Sequence, residues 1–341
     1  MRNFVTVALA FLVLSPTSCA DDGVAQSTEE ISFRSGEFRV VGELTTPTGN
    51  ALHPVVVFVH GDGPASRRNY RISRERALRA GYATFVYDKP GYGVSEPAYD
   101  RSRLFEQRTQ VLLDAVAMLK AHPALDGERI GLWGISQAGY VMPQAIARSN
   151  DIAFMIAVSC PGTNSIDQGA FLLRAQCLCE GQAASEAQAV EEHFAGLYVA
   201  GTYAEYLSHA EPLIANPVVV DIGFVSAITP RDEWQPRDPQ GQPFFDPMTL
   251  IERTTIPVLA FFGEKDTQID PFQGAEAYRA ALDRAGNADY RVVLVPGVDH
   301  SMVISETGCM KERSRRSRTG WRNYAPEYLD PMEEWLRRLR G

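Results

Sequence analysis

The sequence predicts an α/β architecture, a mostly parallel central sheet flanked by helices, with a helical insertion late in the chain. Three observations predict it. Val55-Val56-Val57-Phe58-Val59 is a continuous apolar, mostly β-branched run, the pattern of a strand buried on both faces. Such runs alternate with amphipathic stretches long enough for helices, the rhythm of right-handed crossover connections. Several of the runs end in short glycine-containing turns, and open α/β sheets bind their ligands beyond those strand ends.

Taken in order, the chain begins with a segment unlike the rest. Arg2 precedes an apolar run from Phe4 to Leu14, followed by Ser15-Pro16-Thr17-Ser18-Cys19-Ala20. That is the layout of a secretory signal peptide, so residues 1–20 are expected to be a leader and the protein exported, periplasmic or secreted. Cleavage after Ala20 fits small residues at Ser18 and Ala20. Cleavage before Cys19 would instead give a lipid anchor at that cysteine and a membrane-anchored lipoprotein. The polar stretch 21–30 reads as a mobile lead-in.

The core is expected over 31–161 and again over 251–341. Ile31-Ser32-Phe33-Arg34 and Phe38 through Leu44 flank Ser35-Gly36-Glu37, which predicts an antiparallel hairpin at a sheet edge. Val55–Val59 is the first parallel strand. A helix carrying Ala77 and Leu78 follows, then the strand Ala83–Tyr87. A long amphipathic helix is expected over 103–121, with Val111, Leu112, Ala115, Met118 and Leu119 at helical spacing. A strand beginning at Arg129-Ile130 runs into Gly134-Ile135-Ser136-Gln137-Ala138-Gly139, after which Val141–Ala147 reads as a helix. Strands at Ala153–Val158, Val258–Phe262 and Tyr290–Val295, and helices over 271–285 and 326–340, complete the core.

Residues 162–250 break this alternation with helical and then Pro-, Asp- and Gln-rich sequence, and are expected to form a cap over the strand ends. The run Lys311-Glu312-Arg313-Ser314-Arg315-Arg316-Ser317-Arg318 reads as a solvated basic loop. No apolar segment beyond the leader is long enough to span a bilayer.

Composition narrows the function. A net charge of -9 argues against nucleic acid as a partner, because phosphate binding needs a basic surface. With Cys19 set aside, Cys160, Cys177, Cys179 and Cys309 remain, an even number able to form disulfides whose pairing the sequence leaves open. Cys177 and Cys179, two apart on one helix, are poor partners for each other. Neither cysteine nor histidine spacing suggests a metal site, and no cofactor is expected.

The chemistry centres on Ser136. A serine between small residues where a strand turns into a helix has the layout of a nucleophile elbow. Its neighbours at 134 and 138 must be small for the turn to close. The amide of Gln137 then lies at a helix start, suited to an oxyanion. A serine needs a base and a group to orient that base. Asp266, in Gly263-Glu264-Lys265-Asp266, and His300, in Gly297-Val298-Asp299-His300, each follow a strand and come in the order serine, aspartate, histidine. Asp270, just before Pro271, is the better helix cap, and Asp299 is too close to His300 in sequence to orient its ring. The second oxyanion donor is expected from His60-Gly61-Asp62-Gly63, with the Asp62 amide favoured and Gly63 the alternate. His60 itself suits a structural hydrogen bond better than a base, and Cys160 suits packing.

His60-Gly61-Asp62-Gly63-Pro64, Asp88-Lys89-Pro90-Gly91-Tyr92-Gly93-Val94-Ser95, Gly134-Ile135-Ser136-Gln137-Ala138-Gly139, Gly263-Glu264-Lys265-Asp266 and Asp299-His300 together resemble the α/β-hydrolase superfamily. The likeness is to bacterial serine esterases related to dienelactone hydrolases and to the prolyl oligopeptidase catalytic domain. It implies an α/β-hydrolase fold and an exported serine hydrolase that cleaves carboxylic esters of small or short acyl substrates through an acyl-enzyme. Ala138 stands where many relatives have glycine, and Pro90 where they usually have arginine. The same triad also suits a peptidase or aminopeptidase, and the scaffold could serve a non-catalytic binding protein. Substrate and oligomeric state are not legible.

Overall fold

The computed structural model describes residues 25–49, 51–312 and 323–341. The expected leader with Cys19, and residues 313–318 of the basic run, lie outside the described residues. Eight strands form one sheet in the order β1-β2-β4-β3-β5-β6-β7-β8. They are β1 (Gln26–Ser35), β2 (Phe38–Pro47), β3 (His53–Val59), β4 (Ala83–Tyr87), β5 (Leu125–Ile135), β6 (Ile152–Val158), β7 (Val258–Gly263) and β8 (Tyr290–Val295). From β4 to β8 all neighbours pair in parallel. The β1–β2 hairpin closes one edge, and β2 joins β4 antiparallel. This is the α/β-hydrolase fold that the sequence motifs imply.

Most strands follow the sequence pattern, and β3, β4 and β7 are buried at every position. One expectation fails. The lead-in is not free up to Ile31, because β1 starts at Gln26 and pairs in register with β2 from Gln26 against Pro47 to Ser35 against Phe38. Edge strands keep one face in water, so polar residues there do not exclude a strand.

Helices cover both faces. On one lie α2 (Leu104–Lys120), α3 (Met142–Arg148), α8 (Met248–Ile251) and α9 (Pro271–Arg284), which share a core with Val57, Leu132 and Ala260. On the other, α1 (Arg71–Arg79) and α10 (Pro326–Arg340) pack Ala77, Tyr328 and Trp335 against Phe58, Trp133 and Phe261. Asp270 caps α9 by accepting from the amides of Phe272 and Gln273, as the sequence indicates.

Between β6 and α8 the chain makes α4 (Ser165–Cys179), α5 (Ala184–Val199), α6 (Tyr203–Ala215) and α7 (Pro217–Ile222). These helices bury their own cluster around Leu173, Val190, Phe194 and Leu213. The α4 helix rests on the loop after β7, where the Gln168 and Gln176 side chains donate to the Gln268 and Thr267 carbonyls. A disulfide joins Cys179, at the end of α4, to Cys309, with 5.8 Å between their Cα atoms. Cys160 and Cys177 are buried free thiols.

Candidate active site

The site forms where β3, β5, β7 and β8 end, on the edge from which parallel strands offer their loops. At the end of β5 the backbone turns sharply, and Ser136 takes φ 57°, left-handed, at the first residue of a short 3₁₀ turn that ends at Tyr140. Such a conformation is strained for a residue with a Cβ and persists only when its surroundings enforce it. Here the enforcement is close packing. A methyl group at Gly134 would lie 2.6 Å from the Met142 sulfur and 2.7 Å from the Ala138 Cβ. The small residues are therefore required by side chains of the following turn and helix rather than by backbone, and Ala138 already fills the space a larger residue at 134 would need. At Gly61 backbone also matters, since a Cβ there would sit 3.1 Å from the Ile135 carbonyl oxygen and 3.2 Å from the Ser136 Cβ.

Asp266 and His300 come together as a buried pair. His300 Nδ1 lies 2.7 Å from Asp266 Oδ2, with side-chain exposures of 5% and 1%. The other carboxylate oxygen of Asp266 accepts from the amides of Gln268 (2.7 Å) and Ile269 (3.0 Å), which fixes the plane of the group. Asp299, the rival carboxylate, turns instead onto the amides of Ser301 and Val303 within its own loop. With Nδ1 facing a carboxylate, His300 presents Nε2 as the free ring nitrogen.

Ser136, Asp62 and His300 line one cavity of 320 Å³, together with Gly61, Pro64 and Tyr70. Gly63 (φ 72°) is beside this wall but not part of it, and its carbonyl accepts from Lys89. Gln137 follows Ser136 at the start of the 3₁₀ turn, with its side chain turned away to Arg108. A larger cavity of 480 Å³ lies within the insertion, lined by Tyr198, Tyr206 and Trp234 among others, and includes none of these residues. The described walls of the 320 Å³ cavity come from the core, with none from 162–250.

Two cations were not found by sequence reasoning. Arg108, in the second turn of α2, is 2% exposed and has no carboxylate within ion-pair distance among the described residues. Its guanidinium donates through Nη1 to the Gln137 side-chain oxygen and through Nη2 to the His60 carbonyl. It thus ties the turn after β3 to the turn after β5. Lys89 Nζ donates to the carbonyls of Gly61 (3.0 Å) and Gly63 (3.1 Å). Burial, with Arg108 nearby, pulls its ammonium down to about 7. When both cations hold carbonyls of residues 60–63, the intervening peptides are oriented as a set. The sequence signals are Lys89 within Asp88-Lys89-Pro90 and, for Arg108, its place among the apolar positions Phe105, Val111 and Leu112.

His60 has the structural role expected of it. Burial lowers its pKa to about 3, so the ring is neutral. Nε2 donates to the Tyr87 carbonyl (2.5 Å), which leaves Nδ1 to accept from the Tyr70 hydroxyl at 3.2 Å. Cys160 is fully buried beneath Gly139, and burial pushes its thiol up to about 12. It packs and does not react.

The profile of a family described as "Alpha/beta hydrolase family" matches residues 56–308. Among curated proteins, the chain is 27% identical over 143 residues to the quorum-quenching protein AidA of Acinetobacter baumannii, covering 42% of this chain and 47% of that one. It is 28% identical over 142 residues to thiohydrolase aneE of Aspergillus aculeatus, covering 40% and 44%. The matches thus span less than half the length of these relatives. Among solved structures, esterase Pf2001 of Pyrococcus furiosus superposes with a TM-score of 0.55 at 15% identity, covering 96% of this chain and 98% of that one. An acetyl xylan esterase from Paenibacillus sp. R4 gives 0.51 at 17% identity, covering 81% and 79%. At such identities these structures speak for the fold.

Proposed function

The chain belongs to the alpha/beta hydrolase family, and on that premise we propose that it is a serine hydrolase acting on carboxylic esters. The observation that carries the reading is the buried Asp266–His300 pair at 2.7 Å, opening on the cavity that Ser136 and Asp62 also line. The esterases among the structural neighbours and the relative named as a thiohydrolase agree with acyl transfer to water.

In this reading His300 Nε2 takes the Ser136 hydroxyl proton as Oγ attacks the ester carbonyl carbon. The carbonyl electron pair moves to oxygen, and the amides of Gln137 and Asp62 stabilise that oxyanion. Asp266 stays ionised and stabilises the imidazolium. The intermediate collapses, the C–O bond to the alcohol breaks, and the alcohol leaves with the proton from His300. Water then attacks the acyl-enzyme by the same route and releases the acid and free Ser136. Arg108 and Lys89 keep the two donor loops in register throughout.

The Cys179–Cys309 disulfide supports an oxidising compartment and hence the export that the N-terminal sequence suggests. The helices over 165–222 would brace the Asp266 loop from above. A fluorophosphonate probe tests the proposal: Ser136 should be labelled in the folded protein, and Ser136→Ala should abolish both labelling and p-nitrophenyl acetate hydrolysis. Absence of label on Ser136 in folded wild-type protein sinks it.

A further inference from the structure

The active-site cavity has a polar floor. Besides Ser136 it is lined by Ile135, Val158 and the rings of Tyr70 and Trp133, and by Ser73 of α1 and Tyr328 of α10. These side chains are 4% and 1% exposed. Their hydroxyls are 2.9 Å apart, and the Trp133 indole N–H donates to the Tyr328 oxygen at 3.1 Å.

A proton count shows what this floor lacks. Trp133, Ser73 and Tyr328 contribute three donors in all. The indole N–H is spent on Tyr328, and a single hydroxyl hydrogen is spent between Ser73 and Tyr328, whichever of the two donates. One hydroxyl hydrogen is left, on Ser73 or on Tyr328, with no acceptor among the described residues. Buried donors are rarely left unmatched, because the lost hydration is not recovered. Both hydroxyl-bearing residues line the cavity, so a group bound there can supply the acceptor.

The rest of the lining limits its chemistry. Among the described residues the cavity walls carry no lysine or arginine, and Asp62 and His300 line it with Ser136. A carboxylate at the floor would be a buried charge without a partner. A purely aliphatic tail would cover the hydroxyl and leave it unmatched. A volume of 320 Å³ is at the small end of ligand pockets, which run to roughly 1,000 Å³, so the group is short.

We infer that this site is built for short acyl esters bearing a neutral oxygen, a ketone, ether or hydroxyl, that accepts a hydrogen bond from the Ser73–Tyr328 pair. The inference deepens the hydrolase proposal and rests on it. Ser73 and Tyr328 are specificity determinants of the acyl arm, acting through a hydrogen bond to the substrate and not on the bond that breaks. A site with such a donor discriminates against the analogue lacking the acceptor, because its polar group is then left unpaired.

The test uses matched pairs of p-nitrophenyl esters on the wild-type protein: pentanoate against 4-oxopentanoate, and hexanoate against 5-oxohexanoate. The oxo ester of at least one pair should have a kcat/KM about tenfold or more above its aliphatic partner. In Ser73→Ala/Trp133→Phe/Tyr328→Phe, which removes all three donors, that ratio should fall toward one, whereas Ser73→Ala alone leaves the Tyr328 hydrogen unmatched and should keep the preference. The ratio is internal to each variant, so a general loss of activity does not disturb it. If the triple variant does not fold, the wild-type pairs carry the test alone. Equal kcat/KM within both pairs for the wild type, or a preference that persists in the triple variant, overturns the inference. Ser136 labelling by the fluorophosphonate probe separates the two levels. Label without preference removes the polar-floor assignment only, whereas absence of label removes the hydrolase reading and this inference with it.

Discussion

The Cys179–Cys309 bond fastens the end of α4 to the segment that follows the His300 loop, and its removal is a perturbation whose cost follows from chain length. The two cysteines are 130 residues apart. Closing a loop of that size in the unfolded chain removes entropy worth about 5 kcal/mol at 25 °C, and native disulfides commonly deliver about 2–5 kcal/mol. Local packing adds to the consequence. Met310 donates its amide to the Gln176 side chain (3.3 Å), and the Thr267 hydroxyl donates to the Gly308 carbonyl (2.8 Å), so the bridge lies on a seam shared with the loop that carries Asp266. A Cys179→Ser/Cys309→Ser variant should therefore lose about 3–5 kcal/mol in urea unfolding followed by far-ultraviolet circular dichroism. Under non-reducing denaturation, of the four cysteines 160, 177, 179 and 309, only Cys160 and Cys177 should react with a thiol reagent. A loss under about 1 kcal/mol would refute the loop-entropy reasoning. Reaction of all four thiols would refute the pairing itself.

Other predictions concern the site. Asp266→Asn keeps the shape of the His300 contact but removes the charge that stabilises the imidazolium; kcat should fall by about 10³–10⁴ with KM little changed. A fall under tenfold on p-nitrophenyl acetate would remove Asp266 from the triad. Arg108→Lys cannot reach both the His60 carbonyl and Gln137 with one ammonium, so kcat should drop about tenfold or more while Ser136 remains in place. Unchanged kcat would show that the bridge between the two turns has no part in positioning. His60 gives a pH dependence. Its folded pKa, about 3, is below the ordinary 6.5, so the unfolded state binds more protons between those values and stability falls as pH drops from 6.5 toward 3. The contribution is on the order of 4–5 kcal/mol across that window. His60→Gln should start less stable at pH 7 and show a shallower acid loss in urea midpoints; parallel curves for the two proteins would exclude His60 as the cause.

How much of this was readable follows from where each residue sits on the chain. Asp266 and His300 announce themselves because each follows an apolar strand, β7 fully buried and β8 half-buried at the sheet edge, and strand ends on one edge of a parallel sheet are forced together by topology. Ser136 adds a steric signature, the small residues at 134 and 138. By contrast, the start of β1 was read as lead-in, because an edge strand with exposed positions from Gln26 onward lacks the apolar run that marks its neighbours. The disulfide was left open because cysteine spacing does not encode pairing.

Arg108 was missed for a different reason: position 108 falls among Phe105, Val111 and Leu112 on the buried side of α2, where helical periodicity predicts an apolar residue and records an arginine only as an interruption. Such an interruption is the informative signal. A guanidinium enclosed without a carboxylate is costly to bury unless carbonyl oxygens converge on it, and here the oxygens belong to the turn after β3 and the turn after β5. The same logic applies to Ser73 and Tyr328, 255 residues apart on two helices that meet only in the fold. Strand ends fix where an ester could react. Which ester it is depends on helix faces, where a polar residue at an apolar position reports on a partner that only the packed structure supplies.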